Sequence, residues 1–248
     1  MRFVKERWII PRMTSRRLFC AELHPGQLLL DDAEAHHART VLRLREGDAV
    51  LLLDGKGGTA TARIERIARR EVIVNASPAE RHPFDAPRRV TVAVALPRRH
   101  RQSYLVEKCT ELGAAGIWLI DVERQVSKAD DETAGRFIRR AAEALKQCGR
   151  CWMPDVVGPL TLVQALQPRH KFDAIGILHP AANAMRMSDF LAQPAGRFLF
   201  LIGPEGGWSD ADVQSATSSG ATAITMGSII LRTETAAVAA CALATLSG

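Results

Sequence analysis

Two short stretches near the end of this 248-residue chain carry residue types that can hold a small molecule and act on a substrate beside it. The first is Gly203-Pro204-Glu205-Gly206-Gly207-Trp208, directly after the apolar run Phe198-Leu199-Phe200-Leu201-Ile202. Three glycines at the carboxyl end of a strand leave backbone amides open to a ligand, and that edge is where parallel α/β sheets bind small molecules. The spacing is neither that of a dinucleotide fingerprint nor that of a phosphate-binding P-loop, so something other than a nucleotide phosphate is the expected occupant. Ser209 and Asp212 follow at capping-box spacing, which predicts a helix start.

The second stretch is Met226-Gly227-Ser228-Ile229-Ile230-Leu231-Arg232-Thr233-Glu234-Thr235-Ala236, a strand end and a bend, then a helix with Thr233 as its expected N-cap. Arg232 and Glu234 fall at the same sheet edge, where a polar pair is costly unless it is exposed or used. A fixed cation there can stabilise charge developing on a carbonyl oxygen, and a carboxylate can orient that cation or accept a proton. Glu205 is an equal alternative for the carboxylate.

The elements that position these stretches alternate strand and helix. Val90 to Leu96 is a mostly apolar run, as in a strand covered on both faces, and Arg101 to Leu112 follows as a helix with Leu105, Cys109 and Leu112 on one face. Ile117 to Ile120 is the next strand. Arg136 to Cys148 is a helix whose expected buried stripe is Ile138, Ala141, Leu145 and Cys148. Strands at Phe172–Leu178, Phe198–Ile202 and Ala223–Met226 alternate with helices at 209–219 and 233–246, which predicts an α/β parallel sheet over residues 90–248.

Residues 14–78 read as a separate small domain. Gln27–Leu30, Val50–Leu53, Thr59–Glu65 and Glu71–Val74 are short strand candidates, with a tight turn at Gly55-Lys56-Gly57-Gly58. Asp31 or Asp32 can cap a helix through Leu42, and a small barrel would close the sheet's edges. Residues 79–89, with Pro83 and Pro87, read as a linker.

Lys and Arg number 33 against 27 Asp and Glu, a net charge of +6 that favours anionic partners. Arginines cluster at Arg12, Arg16, Arg17, at Arg88, Arg89, Arg98, Arg99, Arg101, and at Arg136, Arg139, Arg140, Arg150, which fits phosphate contacts. Residues 1–12 lack a continuous apolar segment with a cleavage site, and the alanine-rich run 235–246 is too short to cross a bilayer. The expected location is therefore the cytoplasm, without membrane contact. Five cysteines fit reduced thiols, and Cys148-Gly149-Arg150-Cys151 lacks the two further ligands a structural zinc would need, so no metal is expected.

Taken together, these segments make the chain similar to the RsmE family of 16S ribosomal RNA uridine N3-methyltransferases, in the SPOUT superfamily. The resemblance runs from Arg17 to the end. It rests on His36-His37, Val41-Leu42-Arg43 and Gly47-Asp48; on Leu96-Pro97, Glu107-Lys108 and Glu111-Leu112-Gly113; on Gln147, Gly149-Arg150 and Pro154; and on Leu201 to Gly207 and Leu231 to Ala236. It implies an N-terminal PUA-like β-barrel that binds RNA, a catalytic domain with a trefoil knot near residues 200–235, and a homodimer.

The resemblance further implies S-adenosylmethionine as cofactor, held by Leu178, Leu201, Ile202, Gly203, Pro204, Glu205, Gly206, Gly207, Met226, Gly227, Ile230 and Leu231. Arg232 and Glu234 would be the catalytic pair. His36, His37, Arg39, Arg43, Arg98 and Arg150 would contact RNA, either 16S rRNA or the 30S subunit. Two positions depart from the family pattern: Ile229 stands where Arg is usual, removing an expected polar contact, and Lys146 stands where an acid is usual, which is expected to alter RNA contacts. A ribose 2′-O-methyltransferase of the same superfamily and an RNA-binding protein without catalysis are the rival readings.

Overall fold

The computed structural model describes residues 16–69, 71–130, 132–180 and 183–246. The start of the chain, including Arg12 and the segment before Met13, lies outside the described residues. By contact density the chain divides into an N-terminal unit, residues up to Phe84 together with Lys146–Cys151, and a C-terminal unit, Asp85–Leu145 with the residues from Trp152 on.

The N-terminal unit is built on β1 (Arg17–Phe19), β2 (Gly26–Leu29), β3 (Ala49–Leu53), β4 (Gly58–Ile67), β5 (Val72–Ala76) and β6 (Glu80–Arg81). Their ladder runs β1-β3-β4-β5-β2, with β6 beside β4; a pairing of β1 with β2, which would close a barrel, is not among the described ladders. Strand β6 lies inside the proline-rich stretch read as a linker, with Arg81 opposite Gly58 and paired to the buried Asp54. Asp54 also accepts hydrogen bonds from the amides of Lys56 and Gly58, which fixes the glycine turn. Helix α1 (Asp32–His36) starts on Asp31, whose side chain accepts from the Glu34 amide, and runs on to Val41 through a wider π turn, with Leu42 donating to the His37 carbonyl. Leu18, Leu28, Ala35, Ala38, Leu52, Ile64 and Val74 meet in one core.

The C-terminal unit places β7 (Arg89–Ala95), β8 (Gly116–Asp121), β9 (Asp155–Thr161), β10 (Ala174–Leu178), β11 (Met185–Arg186), β12 (Arg197–Ile202) and β13 (Thr222–Thr225) in one parallel sheet. Its order is β11-β13-β10-β12-β7-β8-β9. Helices are α2 (Arg99–Glu111), α3 (Thr133–Cys148), α4 (Leu162–Leu166), α5 (Met187–Leu191), α6 (Asp210–Ser218) and α7 (Thr233–Leu246). Alternation along β12 splits the core in two: Phe198, Phe200 and Ile202 pack with residues of α2, α3, α5 and α7, and Leu199 and Leu201 with residues of α4 and α6. The small residues Ala236, Ala237, Ala240, Cys241 and Ala244 of α7 are all buried in the first of these clusters.

Three expectations are corrected here. Helix α2 starts two residues before Arg101. Of the expected α3 stripe Ala141 and Leu145 are buried, but Ile138 and Cys148 are exposed, and Phe137 and Ala144 complete the stripe in their place. Lys146 is buried, its ammonium paired to the Glu34 carboxylate within the N-terminal unit, so it is not a surface contact for RNA.

The loop before β10 is anchored by Asp173, which accepts from Arg197 Nε and Nη2 at 3.1 and 2.6 Å and from the amides of Gly196 and Arg197. The hydrogen bonds from the Arg197 guanidinium, first, and then from the Gly196 amide lower the Asp173 pKa to about 2. A carboxylate with a depressed folded-state pKa contributes stability above its unfolded value, near 3.9, and loses it as pH falls toward about 2. Asp173→Asn is therefore expected to lower the urea midpoint at neutral pH, with the gap to wild type narrowing between roughly pH 4 and 2. A gap that stays constant over that range would assign the effect to packing instead.

Candidate active site

Both chemistry-bearing stretches converge on one cavity of about 230 Å³ within the C-terminal unit. It opens at the carboxyl edge of the sheet, where β10, β12 and β13 end. From the expected cofactor set, Leu178, Ile202, Gly203, Pro204, Glu205, Gly207, Met226, Gly227, Ile230 and Leu231 line it. Leu201 and Gly206 do not: the Leu201 side chain points into the core shared with α4 and α6, and Gly206 faces Arg124. The walls are mostly apolar, and a Cβ added to Gly207 or Gly227, both at positive φ, would meet nothing within 4 Å. These glycines leave main-chain groups reachable, which suits a ligand with an apolar body and a few polar edges better than a phosphate.

Three side chains hold the glycine loop in place. Trp208 is buried, its indole N–H donates to the Leu178 carbonyl at 2.9 Å, and its ring lies against Gly203, where a Cβ would come within 2.9 Å of the indole. Thr233 does not use its hydroxyl to cap α7; it donates to the Gly203 carbonyl at 2.9 Å and so joins the two stretches. Arg124 donates to the Trp208 carbonyl at 3.2 Å. Past the loop, Ser209 and Asp212 form the capping box expected from their spacing, and α6 begins. His179 and Trp208 also line the cavity, and sequence reasoning assigned no role to either. Only their adjacency to Leu178 and to the glycines hinted at it.

The two residues expected to act chemically separate. Arg232 is exposed at the start of α7, between Leu231 and Thr233, which both line the cavity. Glu234 faces away from it: its side chain is 8% exposed and pairs with Arg101 of α2 at 3.2 Å, while its second oxygen is buried without a partner among the described residues.

An RNA methyltransferase domain model matches residues 85–245, and an RNA methyltransferase PUA domain model matches residues 30–76. The ribosomal RNA small subunit methyltransferase E of Synechocystis is 32% identical over 217 residues, covering 86% of this chain and 71% of the relative. The chain belongs to the ribosomal RNA small subunit methyltransferase E family. A member from Neisseria gonorrhoeae, solved bound to S-adenosyl methionine, is 30% identical with a TM-score of 0.82, over 93% of this chain and 97% of that one. A Legionella pneumophila structure with bound SAM superposes with a TM-score of 0.85 at 30% identity, over 94% and 97%.

The RNA methyltransferase domain thus follows the PUA domain in this chain. In the PUA-containing unit, His36 is exposed, with Nδ1 3.5 Å from the Thr40 hydroxyl, and His37 is half-buried. Arg39 donates to the carbonyls of Ala35, Ala68 and Arg69, so much of its guanidinium is already engaged. Arg43 is exposed at a left-handed φ of 50°, and Arg150 lies half-buried in the Lys146–Cys151 segment. Arg17 donates to the Lys146 carbonyl at 3.0 Å. Arg98, in the methyltransferase unit, is exposed at the N-cap of α2. No described helix is long and apolar enough to cross a membrane.

Proposed function

We propose that this chain transfers a methyl group from S-adenosylmethionine to N3 of a uridine in 16S rRNA of the small ribosomal subunit. The observation that carries the reading is the cavity shared by the glycine loop and the Met226–Thr233 stretch, with the exposed Arg232 at its edge, in a member of this family.

When bound, S-adenosylmethionine supplies an electrophilic methyl group on its sulfonium. Main chain of Ile202-Gly203, Met226-Gly227 and Ile230-Leu231 would hold it, with Leu178, Pro204, Glu205 and Gly207 completing the set. The half-buried apolar side chains of Leu178 and Leu231 on the cavity wall limit water around the reacting pair. Uridine N3 carries a weakly acidic proton, so it becomes a nucleophile as that proton leaves and negative charge spreads onto the neighbouring carbonyl oxygens. Arg232 stabilises that charge.

Of the two carboxylates, Glu205 is exposed on the cavity wall and is assigned the N3 proton on one of its oxygens. Glu234, turned to Arg101, acts at one remove by holding the first turn of α7. His36, His37, Arg39, Arg43, Arg98 and Arg150 are the proposed RNA contacts. A trefoil knot formed by the cavity segments, a homodimer, a cytoplasmic location and recognition of the 30S particle or its 16S rRNA belong to the same reading; the Thr233–Gly203 bond between the two segments supports a close wrap.

The test is to incubate the protein with labelled S-adenosylmethionine and small subunits lacking the modification, digest the RNA and identify the labelled nucleoside. N3-methyluridine is expected. A 2′-O-methylated nucleoside would move the protein to the ribose-modifying branch, and absence of transfer to any nucleoside would overturn the reading.

A further inference from the structure

We infer that Arg124 is a positioning residue for the cofactor-binding loop, an inference that rests on the methyltransferase reading above. Arg124 follows β8, in a turn fixed by Gln125, whose amide donates to the Asp121 carboxylate at 2.7 Å and whose carbonyl oxygen accepts from the Val122 amide at 3.3 Å. From this braced turn the Arg124 side chain reaches the end of the glycine loop, and its backbone packs on the loop's middle. Its guanidinium donates to the Trp208 carbonyl at 3.2 Å. Its own backbone lies against Gly206, where a Cβ would sit 3.0 Å from the Arg124 carbonyl oxygen and 3.3 Å from its Cβ.

The middle of the loop has little else to hold it. Glu205, Gly206 and Gly207 are exposed, and the internal bond is that of the Gly207 amide to the Pro204 carbonyl at 2.9 Å. Thr233 fixes the entrance at Gly203, the Trp208 indole reaches the Leu178 carbonyl, and the Arg124 guanidinium fixes the exit at the Trp208 carbonyl. A glycine-rich segment left free at one end loses more backbone entropy when a ligand orders it. Arg124 removes part of that loss before the ligand arrives, so its contribution falls on cofactor affinity and not on the reacting atoms.

Calorimetric titration of wild type, Arg124→Ala and Arg124→Lys with S-adenosylmethionine, beside steady-state methylation and thermal melts, tests this. Arg124→Ala is expected to weaken cofactor binding about tenfold, raising KM for the cofactor with kcat at saturation within about twofold. Arg124→Lys is expected to recover part of the affinity, and both variants to melt within about 2 °C of wild type. Equal binding by wild type and Arg124→Ala would overturn the inference. So would a loss confined to the KM for RNA, or an affinity loss that follows a lowered melting temperature and is not relieved by lysine. Failure of the wild type itself to bind S-adenosylmethionine would overturn the parent reading, and this inference with it.

Discussion

Arg232→Ala is expected to lower the single-turnover methylation rate by two to three orders of magnitude, about the loss seen when one fixed donor to a developing oxyanion is removed. Arg232 makes no side-chain hydrogen bond or ion pair to another described residue, so its guanidinium is uncommitted before RNA arrives. Its neighbours Leu231 and Thr233 both line the cavity, so substrate docked there comes within its reach. The exposure that keeps Arg232 hydrated in the free protein is lost when a base covers it, and in that drier setting one charged donor is worth far more than in water. Cofactor affinity should stay within about twofold, because the proposed cofactor contacts are main-chain groups and apolar side chains elsewhere. An unchanged rate at saturating cofactor would remove Arg232 from the chemistry. A loss of cofactor affinity as large as the loss of rate would make it a binding residue.

Glu34→Ala is expected to destabilise the protein by about 3–5 kcal/mol, through an ammonium left buried without its partner. The side chains of Glu34 and Lys146 are 8% and 7% exposed, so solvent cannot replace the lost contact. Glu34 serves two donors at once: one oxygen takes the Lys146 ammonium, and the other accepts from the Phe19 amide at 3.0 Å. Removing it therefore strands a charge and a strand β1 amide together. The double variant Glu34→Leu with Lys146→Met should recover the part of the loss due to the stranded ammonium, since a buried ion pair replaced by apolar side chains of similar volume is often neutral. It should keep the part due to the Phe19 amide, since an unpaired amide still costs about 1–3 kcal/mol. Urea unfolding of the wild type, the single and the double variant decides. A single variant within about 1 kcal/mol of wild type would mean that Lys146 escapes to water once its partner is gone.

Ile229 is the other position at which this sequence departs from the pattern it resembles. Ile229 and Ile230 are 79% and 87% exposed at the cavity wall. The side chain at 229 therefore lies outside the core, on the wall of the cavity.

Much of the site was legible because its signals are local. The glycines of 203–207, the apolar run before them and the capping-box spacing after them are all set by neighbours within about a dozen residues, and so were strands β7, β8, β10, β12 and β13. Edge and exposed elements carried weaker signals. Strand β9 alternates exposed and half-buried residues over Asp155–Thr161 and includes Pro159, so it lacks the apolar run that announced β7 and β12. The stripe of α3 was right at Ala141 and Leu145 and wrong at its start, because Ile138 and Phe137 both fit a helical period and only the packed partner chooses between them.

The sequence by itself determined the strand and helix alternation through β7, β8, β10, β12 and β13, a small N-terminal domain ahead of it and the stretches that form the cavity, because hydrophobic period, glycine and capping residues act over short distances along the chain. The tertiary structure alone decided which side chains those stretches use. It turned Glu234 to Arg101 and left Arg232 open, gave the Thr233 hydroxyl to Gly203 in place of its own helix, brought Arg124 across to Trp208, and buried Lys146 on Glu34. Each of those pairings joins residues between 30 and 133 positions apart in the numbering, and depends on the sheet order and on which groups burial leaves in need of a partner, neither of which a local pattern can carry.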